Sequence, residues 1–190
     1  MLKKYDKFIK DFQQKIDKYF EENSEYIYCH EGCSACCEIG EYPFSWIEMG
    51  YLMEAFVELP ENIKQQIKIN IKELKQQKQN FKGERFEYKC PFLINNSCCV
   101  YEHRGITCRT HGLAYLRKDG TVNVPYCANK GLNYSSVFKD GIFSIEPIKE
   151  NLNIDVVLKD FDGEMGEIRP IIEWIWTVSY DTYFFISIFE

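Results

Sequence analysis

The sequence predicts a mainly α domain with a small β-hairpin, an α+β fold arranged around a loop-rich, cysteine-ligated metal site. Three observations predict it. Apolar residues recur at three- and four-residue steps in several long runs, the signature of amphipathic helices. One stretch alternates around an Asp-Gly pair, the signature of a hairpin. Nine cysteines fall largely into two tight clusters, the pattern by which proteins assemble thiolate metal sites from two places in a chain.

The first helix is predicted over 2–22, where Tyr5, Phe8, Ile9, Phe12, Ile16, Tyr19 and Phe20 make one apolar face. A loop marked by Gly32 and Gly40 follows and carries the first cysteine cluster. A second helix starts at Ser45. Ser45 with Glu48 three residues later forms a capping box, in which each side chain satisfies an exposed backbone N–H of the first turn. Trp46, Met49, Leu52, Met53 and Phe56 supply its apolar face, and Pro60 ends it. The third helix is predicted over 61–79, with Ile63, Ile67, Ile71 and Leu74 as its stripe.

Residues 90–111 read as loop, with Pro91, Asn95, Asn96 and Gly105. AYLRKDGTVNVPY then reads as a hairpin turning at Asp119-Gly120. Residues 141–146 suit a short strand, and 150–161 a helix capped by Asn151. From Pro170, IIEWIWTVSYDTYFF is rich in β-branched and aromatic residues, yet the proline favours a helix start, and helix is the expectation. The chain of 190 residues is read as a single domain over 1–190, with a metal-binding core at 29–133 and a C-terminal extension at 134–190 packed on it.

Composition narrows the function. Hydrophobic residues make up 45% of the chain, enough to bury a core without cysteine cross-links. The formal charge of −6 does not favour a nucleic-acid partner. The 60–89 segment is locally basic, with eight Lys/Arg against four Asp/Glu, but lacks interleaved aromatics and reads as a solvated helix face. No membrane partner is expected. The N-terminal segment has no apolar signal core, and the most apolar stretch carries Glu173 and Asp181, both costly in a bilayer. A cytoplasmic setting is expected, where thiols stay reduced and clustered cysteines hold metal more often than disulfides. The odd count of nine points the same way.

The clusters carry the chemistry. Cys29, Cys33, Cys36 and Cys37 read C-x3-C-x2-C-C; Cys90, Cys98, Cys99 and Cys108 follow, then Cys127. A divalent ion drives off thiol protons and binds the thiolates. A two-residue gap, as between Cys33 and Cys36, lets two sulfurs reach one tetrahedral ion. Cys36-Cys37 and Cys98-Cys99 are adjacent pairs, whose side chains point apart. Each pair therefore suggests a second metal, a bridging sulfur or a free thiol, and so a polynuclear or two-site arrangement. The spacing is not that of a ferredoxin, which runs C-x2-C-x2-C and closes on C-P; Cys90-Pro91 resembles only that end. Nor is it a zinc ribbon. A C-x-x-C redox motif at Cys33–Cys36 lacks the strand–motif–helix context that activates it. No nucleophile elbow, phosphate-cradling loop or H-E-x-x-H pattern is present.

Several of these fragments together resemble one family. They are C-x3-C-x2-C-C at 29–37, CPFL at 90–93, Cys98-Cys99-Val100-Tyr101, Arg104 and CRTHG at 108–112, then Cys127 with Asn129 and Asn133. The pattern is similar to the YkgJ-type cysteine-cluster family, the CxxCxxCC zinc- or iron-chelating domain. Carried over by position, the resemblance implies a ligand set of Cys29, Cys33, Cys36, Cys37, Cys90, Cys98, Cys108 and Cys127. Cys99 falls where the family varies and is left as the free thiol. Gly105 stands where the family usually has proline, which is expected to loosen the loop. A related cysteine domain in flagellin lysine methylases keeps an enzymatic reading open. His111, Arg104 and Arg109 are further candidates near the sulfurs, as ligand or as donors to thiolate.

The expected function is chelation of zinc, with iron or an iron–sulfur cluster as the alternative cofactor. Two other readings stand beside it: an iron–sulfur or iron-dependent enzyme that modifies a protein or peptide, and a thiol redox sensor. The expected partner is the metal ion.

Overall fold

The amphipathic runs fold as their periodicity requires. A computed structural model describes residues 1–30, 32–40, 42–84 and 86–178. Helix α1 spans Leu2–Glu22 and buries Tyr5, Ile9, Phe12 and Ile16. A short helical turn, α2 (Ala35–Glu38), carries Cys36 and Cys37. Strand β1 (Pro43–Ser45) leads into α3 (Trp46–Glu58), and α4 covers Glu61–Asn80. Strands β2 (Leu93–Ile94) and β3 (Ser97–Cys98) form a hairpin, followed by α5 (Ile106–Thr110). Two more hairpins follow: β4 (Tyr115–Leu116) with β5 (Val122–Asn123), and β6 (Phe138–Lys139) with β7 (Ile142–Phe143). The described chain closes with α6 (Ile154–Val157), β8 (Ile168–Pro170) and α7 (Ile171–Val178). The class is mainly α with small antiparallel sheets, four of them with two strands each among the described residues.

The chain divides into two units. The first comprises Met1, Lys3–Cys36 and Ile106–Glu164; the second comprises Leu2, Cys37–Gly105 and Met165 onward. The chain passes from one to the other between Cys36 and Cys37, again after Gly105, and again after Glu164.

In the first unit, the apolar stripe of α1 faces the C-terminal part of the same unit. Tyr5 meets Phe161 edge-on at 5.5 Å between ring centroids. Glu150 accepts hydrogen bonds from Lys15 and from the Tyr19 hydroxyl, the latter at 2.7 Å. Tyr115 closes the hairpin side, its hydroxyl donating to Asn153 Oδ1 at 2.7 Å. The β4–β5 turn places Gly120 at φ +80°, where a side chain would clash with its own backbone.

In the second unit, the capping box that starts α3 is present as the sequence predicts. The Ser45 N–H donates to Glu48 Oε2 at 2.7 Å, and the Glu48 N–H donates to Ser45 Oγ at 3.3 Å. Both residues are fully buried. Strand β1 pairs antiparallel with β8, Phe44 opposite Arg169, and Trp174 Nε1 donates to the Phe44 carbonyl at 2.8 Å. Helix α7 begins directly after Pro170, as expected; the predicted continuation beyond Val178 lies outside the described residues. No helix among the described residues is long and apolar enough to cross a membrane.

Three local expectations are corrected. The 90–111 stretch is not simply loop. Asn95 and Asn96 both adopt positive φ, 50° and 59°, the tight-turn conformation that joins two-residue hairpins, and β2–β3 forms around them. The helix expected over 150–161 is shorter. Asn153 occupies its N-cap position, and Asn151 instead accepts the Asn153 N–H through Oδ1 at 3.0 Å. Gly105 does not loosen its loop. It is buried, and an added Cβ would lie 2.9 Å from both Glu48 Oε1 and Phe44 Cε1.

Candidate metal centre

The first unit holds Cys29, Cys33, Cys36, Cys108 and Cys127, and the second holds Cys37, Cys90, Cys98 and Cys99. None of the nine is joined in a disulfide.

In the first unit, Cys29 leaves an irregular segment just after α1 and a short 3-10 turn at Ser24–Tyr26. Cys33 is set by a turn in which its N–H donates to the His30 carbonyl at 3.0 Å. Cys36 sits on α2. Cys127 opens from the far side of the sequence, in a 3-10 turn at Tyr126–Lys130 that ends on Gly131 at φ +74°. Cys108 lies on α5. Cys29 lies within electrostatic reach of Cys33, Cys36 and Cys127. Burial, the largest influence, pushes the Cys29 thiol above its ordinary value; the Asn133 hydrogen bond opposes this, and the charges of Cys33 and Cys36 add to the rise. Cys127 is pushed up to about 11, first by burial and then by Cys29, with Cys36 contributing further. Buried thiols such as Cys29 and Cys127, which resist ionisation alone, are donors that a cation ionises, because the ion supplies the missing positive charge.

Asn133 is the residue the ligand reading did not single out. It is fully buried. Its Nδ2 donates to Cys29 Sγ at 3.1 Å and to the Gly112 carbonyl at 3.0 Å, while its Oδ1 accepts the Tyr28 N–H at 2.7 Å. Its backbone N–H also favours the Cys127 thiolate. Amide donors aimed at sulfur are the usual outer contacts of metal-bound thiolates. Gly112 makes room for this group: at φ +100°, its added Cβ would lie 2.8 Å from Asn133 Nδ2 and 3.5 Å from Cys29 Sγ.

In the second unit, the Cys90 N–H donates to the Cys37 carbonyl at 2.8 Å, and the Gly40 N–H to the Tyr88 carbonyl at 3.1 Å. These bonds lay Cys37, the last cysteine of the first cluster, beside Cys90, the first of the second. Cys98 lies on β3 opposite Leu93. Cys99 is held by its N–H to the Phe92 carbonyl at 2.9 Å. Burial pushes the Cys99 thiol up, away from the lowered range that makes a cysteine reactive.

The remaining candidates, and the two other histidines near the cysteines, sit as follows. Arg109 is buried and donates to Gln13 Oε1. Arg104 donates from Nε to the Tyr101 carbonyl at 2.9 Å and lies over the Tyr101 ring. His103 stacks on Tyr51 at 4.3 Å between centroids. His30 Nδ1 lies 3.0 Å from the Tyr28 carbonyl oxygen. His111 is half-buried, with Nε2 sealed from solvent; burial holds its imidazole down at about 4, so it is neutral near pH 7. Among the described residues, no three His, Cys, Asp or Glu side chains are already closed around one ion position. The fit to a metal therefore rests on the donor chemistry and on the amide contacts of Asn133.

The sequence pattern of the CxxCxxCC family, described as "Putative zinc- or iron-chelating domain", matches residues 28–128, just over half of the chain. The chain belongs to the CxxCxxCC family. The match spans all nine cysteines, beginning one residue before Cys29 and ending one residue after Cys127. Asn133 lies five residues beyond it. No curated protein and no solved structure gives a match.

Proposed function

We propose that this CxxCxxCC protein binds zinc through the thiolates of Cys29, Cys33, Cys36, Cys37, Cys90, Cys98, Cys108 and Cys127, and that the bound metal is structural. The observation that carries the reading is the Cys29–Cys127 neighbourhood of the first unit, where sulfurs from both ends of the family match share the contacts of Asn133. Cys33 and Cys36 act electrostatically on the same group. In this reading a bound zinc ion would draw these four thiolates together as one tetrahedral set. The remaining proposed ligands are Cys108 of the same unit and Cys37, Cys90 and Cys98 of the second. Zinc has no redox chemistry and tolerates an all-sulfur tetrahedron, so it supplies charge and cross-linking rather than reactivity. Within the chain, the Asn133 amide and the backbone N–H groups of the cysteine turns orient the sulfurs and spread their charge.

Iron is the second reading. The family description names it, and the adjacent pairs Cys36-Cys37 and Cys98-Cys99 suit a site with more than one metal. The raised Cys99 thiol lends nothing to a redox-sensor reading.

The test is metal analysis with a visible spectrum on anaerobically purified protein. A colourless protein with stoichiometric zinc is expected. A brown protein with charge-transfer bands would move the assignment to iron, and a folded, reduced protein without stoichiometric metal would overturn chelation.

A further inference from the structure

We infer that Asn133 is the positioning residue of this metal centre: it keeps the sulfur of Cys29 in the ligand set and so sets the affinity for zinc. The inference rests on the chelation reading above and adds a determinant to it.

Cys29 is the one cysteine of the nine that is exposed, and it lies on a segment without regular structure. Nothing in its own backbone would stop the side chain from turning to solvent. Asn133 addresses that weakness twice. Its Oδ1 fixes the backbone just before the cysteine, at the Tyr28 N–H, and its Nδ2 fixes the sulfur itself. The second Nδ2 hydrogen is used by the Gly112 carbonyl, so the orientation of the amide is determined rather than free to flip. The neighbouring backbone is held in parallel, the Tyr134 N–H donating to the Tyr26 carbonyl at 2.8 Å. A buried residue with all these bonds made is rigid, and a rigid donor toward sulfur favours the thiolate over the thiol.

A residue that merely ties two loops together would make the same bonds, so the experiment must separate the two roles. Asn133→Asp keeps the shape and the acceptor for Tyr28, and replaces the donor toward Cys29 with a repelling oxygen. Zinc affinity is measured by competition with a colour-forming chelator in reduced protein. The comparison covers the wild type, N133D, Cys29→Ser and the double variant, with Asn133→Ala taken through the same cycle. The cobalt-substituted forms are read by their sulfur-to-metal absorption.

In the Cys29 background the substitution should weaken zinc by about 10- to 100-fold and shift the cobalt band. In the C29S background its effect should fall to about twofold or less. Equal losses in both backgrounds would overturn the inference while leaving chelation intact. A wild type without tight zinc would overturn both. One arm needs no variant: in the zinc-loaded wild type, Cys29 should resist alkylation. Alkylation there at the rate of the metal-free protein would overturn the positioning role.

Discussion

Gly112 shows how closely the sulfur group is packed at the level of single residues. Its φ of +100° and the 2.8 Å approach of Asn133 Nδ2 to its Cβ position leave no room for a methyl group. Gly112→Ala should therefore lower stability by about 1–3 kcal/mol and displace the amide from Cys29, which chemical denaturation and zinc competition would both register. His111 gives a pH prediction. Its imidazole ordinarily titrates at 6.5, and burial holds it down to about 4. Between those values the unfolded chain binds a proton that the folded chain does not. The contribution to stability is therefore present above 6.5 and is lost as pH falls toward 4. Denaturation midpoints of the wild type should fall over that window by an amount worth roughly 1–3 kcal/mol, and His111→Gln should flatten the slope. An unchanged slope in the variant would assign the acid sensitivity to other groups.

The elements differ in how far local signals determine them. Helix α3 depends on the Ser45–Glu48 box, buried on both sides. Ser45→Ala removes the cap: the Glu48 N–H loses its acceptor, and the buried Glu48 carboxylate loses the Ser45 hydroxyl donor while keeping the backbone one. A loss of about 1–3 kcal/mol is expected in urea denaturation; a change within error would mean that other partners of Glu48 carry it. This box, the stripes of α1 and α4, and the Asp119-Gly120 turn were all legible in the sequence, because each is a pattern of neighbours. The β2–β3 hairpin was legible only in retrospect. Asn95 and Asn96 were read as loop punctuation, whereas their shared positive φ is a hairpin turn. The β1–β8 pairing was not legible. Each strand has three residues, too few to show alternation, and the pairing partner lies far along the chain. The packing at Gly105 is not legible for a related reason: the close approach of Phe44 and Glu48 arises only on folding.

At the scale of the whole molecule, the cysteine motif pointed to the family, and the match over residues 28–128 agrees with it. The motif could not show that the chain changes unit between Cys36 and Cys37. Nor could it show that an asparagine beyond the last cysteine reaches back to the first. Both depend on where distant loops come to rest. Structural zinc contributes roughly 10–16 kcal/mol of apparent binding free energy in small peptides, as much as the whole net stability of a typical domain, about 5–15 kcal/mol. Removing metal with a chelator should therefore lower the melting temperature sharply and disorder the cysteine loops, while Cys36→Ser should reduce both metal content and stability. Calorimetry with metal analysis checks both.

The most direct measurement is a timed thiol titration of the reduced, metal-loaded protein under native conditions, with and without chelator. Eight sulfurs bound to metal and Cys99 left over predict that no more than one thiol reacts promptly, and that chelation exposes eight more. Nine thiols reacting at the same rates whether or not chelator is present would contradict the account.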